Sequence, residues 1–84
     1  MGTLKVRNAI HASGVGTILI ADIEKGTLKV NSKIELSNGE KTEVKSIEEN
    51  HEKKEKAEAG TAVGIAVETS HSNFKKGEML SFTE

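Results

Sequence analysis

Apolar and polar residues alternate along this chain in short runs that stop at glycine or asparagine. That pattern restricts the fold more than any other feature. "TAVGIAVE" (Thr61 to Glu68) sets Val63, Ile65 and Val67 on one side of an extended segment. "TILIADIE" (Thr17 to Glu24) sets Thr17, Leu19, Ala21 and Ile23 on one face, and Ile18, Ile20, Asp22 and Glu24 on the other. "TLKVRNAI" (Thr3 to Ile10) alternates Leu4, Val6, Asn8 and Ile10 against Lys5 and Arg7. Further short strands are expected in "TLKV", "IEL", "KTEVKSIEE" and, after a turn at Gly77, at the end of "FKKGEMLSF". Asn38-Gly39 is the strongest hairpin signal, because both residues tolerate the positive φ of a type I′ turn. Many short strands with turn signals about every ten residues indicate an all-β sandwich or barrel. One small core favours a closed barrel, since closure removes exposed edges.

The chain has 84 residues, which predicts one domain spanning positions 1–84. Phe74 and Phe82 are the only aromatic residues, so the core must come from Val, Ile, Leu and Ala. Net charge is −1, from 12 basic and 13 acidic residues. Any nucleic-acid contact must therefore be local rather than driven by overall charge, and no aromatic platform exists for stacking bases. No run approaches the ~20 apolar residues of a membrane helix, and "MGTLKVRN" lacks a signal-peptide apolar region. A cytoplasmic protein without a membrane partner is expected. "IEENHEKKEKAEA" (Ile47 to Ala59) is rich in helix formers but offers only Ile47, Ala57 and Ala59 to bury, so it reads as a strand end running into a solvated loop.

Catalytic motifs find no support. Gly14-Val15-Gly16-Thr17 lacks the Lys-Ser/Thr of a phosphate loop and the third glycine of a dinucleotide fingerprint, and a strand rather than a helix follows it. It reads as a strand-entry turn. His11, His51 and His71 have no metal-ligand spacing on one element, and no cysteine is available. His11, Ser13 and Asp22 could be drawn as a triad, but no nucleophile elbow marks one. The carboxylates all lie in charged stretches, where nothing raises a pKa for acid–base work. The expectation is a non-enzyme with no metal, no cofactor and no nucleotide hydrolysis.

One face is less ordinary. Ile18 and Ile20 point away from the core, and the outward side of "TAVGIAVE" carries the small residues Ala62, Gly64 and Ala66. If these strands are neighbours, isoleucines beside glycine and alanine make a shallow apolar pocket on the outside of the sheet.

"SGVGTILIADIEKGTLKVNSKIEL", "VKSIEENHEKKEKAEAGTAVGIAV" and "FKKGEMLSF" together resemble the second domain of the translational GTPases, the elongation factor Tu-like β-barrel. The resemblance covers nearly the whole chain. It implies a six-stranded closed barrel of the translation-protein type, standing alone or excised or designed, without a GTPase domain. It also implies a binding module for the aminoacylated 3′ end of tRNA or for ribosomal RNA; the alternative is a scaffold barrel that docks on a protein partner. By the same resemblance, Glu48 falls where the family packs a glutamate against the terminal adenine. Ile18, Ala66 and Ala12 fall at apolar positions of that pocket. Arg7 and Asn8 fall where backbone groups meet the aminoacyl moiety. His51 stands where the family has an arginine, Ile10 replaces a phenylalanine, and Ala21 and Asn31 replace glycines. Ala12 and Ala66 are smaller than the family's usual residues.

Overall fold

The computed structural model describes residues 1–84 and is built almost wholly from short strands. In chain order they are β1 (Gly2–Ala12), β2 (Gly16–Lys25), β3 (Thr27–Lys29), β4 (Lys33–Glu35), β5 (Lys41–Glu43), β6 (Ser46–Glu49), β7 (Glu52–Lys54), β8 (Lys56–Glu58), β9 (Ala62–Val67) and β10 (Met79–Phe82). A single 3₁₀ turn covers His71–Asn73. None of this is a helix long and apolar enough to cross a membrane.

Eight strands form one antiparallel sheet in the order β5-β4-β10-β1-β2-β9-β6-β7, and β3 pairs with β8 in a second, two-stranded sheet. The expected all-β class is present, but the ladder differs from six strands closing on themselves. β5 and β7 end the order without pairing to each other. The stretch "KTEVKSIEE", which the sequence pattern reads as one strand, is divided into β5 and β6. There the Val44 amide donates to Ser32 O at 2.9 Å and the Lys45 amide donates to Ala66 O at 2.8 Å, so the strand changes neighbours within two residues.

The alternating residues of β2 and β9 go where their period places them. Leu19, Ala21, Ile23, Val63, Ile65 and Val67 join Leu4, Val6, Leu28, Ile34, Ile47, Leu80 and Phe82 in one buried apolar cluster. Thr17 is buried at the end of the same row and donates from Oγ1 to Thr69 O at 2.7 Å, which satisfies its hydroxyl. Gly16 answers the question of the glycine-rich turn. Its φ is +123°, and a Cβ there would lie 2.7 Å from the carbonyl oxygens of Val67 and Glu68. The glycine lets β2 start against the β9 backbone, and no phosphate is needed to explain it.

β1 breaks the expected alternation. Val6 pairs with Ala21 and Asn8 pairs with Ile20, so Arg7 has no ladder partner and forms a β-bulge. The extra residue inverts the faces of the strand. Before it, Leu4 and Val6 are buried; after it, Ala9 turns toward the core, opposite Leu19, and Asn8 and Ile10 face outward. Ile10 is consequently 50% exposed.

Two turns also differ from expectation. At Asn38-Gly39 only Gly39 has positive φ, +91°. The Gly39 amide donates to Leu36 O at 3.0 Å and the Leu36 amide to Glu40 O at 2.7 Å, which makes a longer hairpin loop ending in a left-handed glycine. The two-residue turn with both central φ values positive is Asn50-His51, at 54° and 68°. Glu49 pairs with Glu52 across it. The charged segment from Ile47 to Ala59 is therefore a hairpin followed by β8, rather than a loop. Ile47 and Ala57 are its buried residues, and the solvated character expected for the rest holds.

Candidate functional site

Directly opposed residues of antiparallel strands present their side chains on the same face. The register of β1, β2, β9 and β6 therefore lays out the outer surface row by row. One row runs Asn8, Ile20, Gly64, Glu48 and ends at Lys53 on β7. The next runs Ile10, Ile18, Ala66, Ser46. On the other side of the first row, Lys5, Asp22 and Ala62 align.

Gly64 lies at the centre of this grid, and its missing side chain makes a hollow. A Cβ built on it would meet only Ile18 Cγ2 at 3.6 Å, Ile20 Cδ1 at 3.7 Å and Glu48 O at 4.0 Å. The hollow is an open depression of about 280 Å³. Ile18 and Ile20 form one wall, Ala62, Val63 and Gly64 the floor, and Glu48, Asn50 and His51 the opposite wall. The left-handed turn at Asn50-His51 brings His51 to that rim. A positive φ at histidine is uncommon, and the tight two-residue hairpin imposes it here.

Ile18, Glu48 and His51 thus meet at one place. Ala66 pairs with Ile18 but is only 7% exposed, because its methyl lies between Ile18 and Ser46 in the row. It backs the site and does not line it. Arg7 is held at the margin: its Nε donates to Asp22 Oδ2 at 2.7 Å, and Asp22 pairs with Ala62. Asn8 neighbours Ile20 across β1 and β2, with its Oδ1 accepting from the Ala9 amide at 3.0 Å. Ala12 pairs with Gly16 at the end of β1, beyond Ile10 and away from the depression.

The sequence pattern already pointed Ile20, Ala62 and Gly64 outward. Asn50 gave no such signal, because its turn lay hidden in a charged run. Ile10 faces outward although its alternation with Leu4 and Val6 predicts their side of the strand, since a bulge leaves no mark in the alternation.

The description "Elongation factor Tu domain 2" is that of the family model that matches residues 16–81. This chain belongs to that family. It is 37% identical to elongation factor 1-alpha of Metallosphaera sedula over 82 residues, covering 95% of this chain and 19% of that protein. It is 36% identical to elongation factor 1-alpha of Methanosphaera stadtmanae over 83 residues, covering 96% of this chain and 20% of the relative. The apo structure of translation elongation factor SelB from Methanococcus maripaludis superposes with a TM-score of 0.87 at 26% identity, covering 99% of this chain and 18% of that one. The chain therefore spans about a fifth of the length of the relatives it matches.

Proposed function

We propose that this domain 2 homologue is a non-enzymatic binding module that takes an RNA end, such as the aminoacylated 3′ end of a tRNA or an exposed ribosomal RNA nucleotide, into the depression over Gly64. One observation carries the reading. Ile18, Glu48 and His51, chosen by resemblance to a family that holds the tRNA end, surround a single hollow whose apolar wall fits the face of a base. Glu48 supplies acceptors for base or ribose donors. Arg7 and Asn8 lie along the approach from β1, Ala66 backs the apolar wall at Ile18, and Ala12 stands apart at the end of β1. The domain acts in the cytoplasm, and residues 1–84 contribute binding rather than nucleotide hydrolysis.

Titration of an aminoacylated acceptor stem, at low and at physiological salt, tests this. Binding should weaken with salt, because phosphate contacts release counterions. Absence of binding at low salt rejects the reading.

The exposed Ile10 beside Ile18 favours a second reading, in which the same face docks on a protein partner as a scaffold. A partner retained after nuclease treatment and lost on Glu48→Arg would select it.

A further inference from the structure

His11 and His71 are far apart in sequence, yet the fold brings their imidazoles face to edge. Their ring centroids lie 6.0 Å apart, with the planes at 62°. Both residues are exposed. Each backbone is fixed by independent contacts. His11 pairs with Thr17 in the β1–β2 ladder. His71 opens the 3₁₀ turn, where its carbonyl accepts from the Phe74 amide at 3.2 Å and Phe74 is buried. The Thr17 hydroxyl, bonded to Thr69 O, fastens the two segments together. The polar side chains nearby are already paired among themselves: Ser70 Oγ with Ser72 Oγ at 2.9 Å, and Asn73 Nδ2 with Thr69 Oγ1 at 2.7 Å.

We propose that His11 and His71 form a two-histidine surface site for a divalent transition-metal ion such as Zn²⁺. The geometry is close to what chelation requires. A zinc ion ~2.0–2.1 Å from an imidazole nitrogen stands about 3.2 Å from the ring centre, so two such ligands at the tetrahedral angle place their ring centres about 5.2 Å apart. The observed separation is 6.0 Å, and rotation of the two exposed side chains closes the difference of about 0.8 Å. Water completes the coordination, which makes the site exchangeable rather than structural. Imidazole nitrogens select borderline metals over Mg²⁺, which takes oxygen ligands. The bound ion would clip the segment Thr69–Phe74 to the end of β1, next to Ile10 and Ala12. The site is separate from the depression over Gly64 and does not depend on the RNA-binding reading.

The test uses untagged protein, since a histidine tag would compete. ZnCl₂ is titrated while the imidazole resonances and the thermal midpoint are followed, with MgCl₂ as the second arm. Zinc should shift the His11 and His71 resonances together, leave His51 unmoved, and raise the midpoint, because the paired site of the folded state binds it more tightly than separate histidines of the unfolded chain. His11→Gln and His71→Gln should each weaken zinc binding at least tenfold, and MgCl₂ should do nothing. Zinc that leaves the His11 and His71 resonances in place, or moves His51 equally, would overturn the proposal. Unchanged zinc affinity in either variant would do the same. If a variant fails to fold, the wild-type resonances alone decide.

Discussion

Gly64→Ala separates the shape of the depression from the stability of the sheet. Gly64 sits inside β9 with no positive φ, and the space where a Cβ would go holds only side-chain and carbonyl atoms at 3.6–4.0 Å, ordinary contact distances. A methyl there needs no movement of its neighbours. Glycine in a strand interior costs roughly 0.5–1 kcal/mol relative to alanine through backbone entropy. For a domain of this size each kcal/mol moves the midpoint by about 4–8 °C, so the substitution should raise it by about 2–8 °C. The methyl occupies the floor between Ile18 and Ile20 but leaves most of the hollow open. Gly64→Leu, by contrast, projects into the hollow and should lower acceptor-stem affinity more than tenfold while the protein stays folded. Calorimetric unfolding and a binding titration on both variants provide the readout. A fall in midpoint for Gly64→Ala would refute the reasoning, since it would mean that the space over Gly64 is already filled.

Three further outcomes follow from the same geometry. Gly16→Ala should destabilise by at least about 2 kcal/mol, because its Cβ meets two carbonyl oxygens of β9 at 2.7 Å; urea unfolding measures this. His51→Gly should stabilise by up to about 1 kcal/mol by relieving a positive φ in a two-residue turn, while weakening RNA binding through loss of a rim side chain. Glu43 is held below its ordinary carboxylate value by the hydrogen bond from Lys45 and then by the charges of Lys33 and Lys45. Its small, salt-screened contribution is complete above pH 4.5 and is lost as pH falls below that through the folded-state value; in Glu43→Gln the acid limb of a stability–pH profile should flatten.

The parts of the fold that were legible in the sequence are those where period two runs uninterrupted. Thr17, Leu19, Ala21 and Ile23 are buried and Ile18 and Ile20 are not, because β2 pairs with β9 in continuous register from Thr17 to Asp22 and the bulged residue opposite it, Arg7, lies on β1. β1 has the same kind of pattern, but the bulge at Arg7 shifts everything after it by one residue. A bulge is decided by the strand opposite, which the local alternation does not contain. The Asn-Gly pair located a hairpin but not its turn type, since the loop length is set by where Leu36 and Glu40 pair. The tight turn is Asn50-His51, within residues whose helix propensity and charge concealed the strands around them. For the site, the resemblance brought in Glu48 and His51, and periodicity brought in Ile18 and Ile20. That they surround one hollow follows from the register of β2, β9 and β6, which no single segment encodes. Ala66 shows the limit of an outward assignment: a small side chain between larger neighbours is outward and still covered.

The central claim is that the depression over Gly64 receives an RNA end. The direct measurement is an amide-resolved NMR titration of the protein with an aminoacylated acceptor stem at low salt. Shifts concentrated at Ile18, Ile20, Glu48, His51 and Gly64, and abolished by Gly64→Leu, are the predicted result. Shifts spread over the lysine-bearing loops with these five residues unmoved, or no shifts at all, would contradict it.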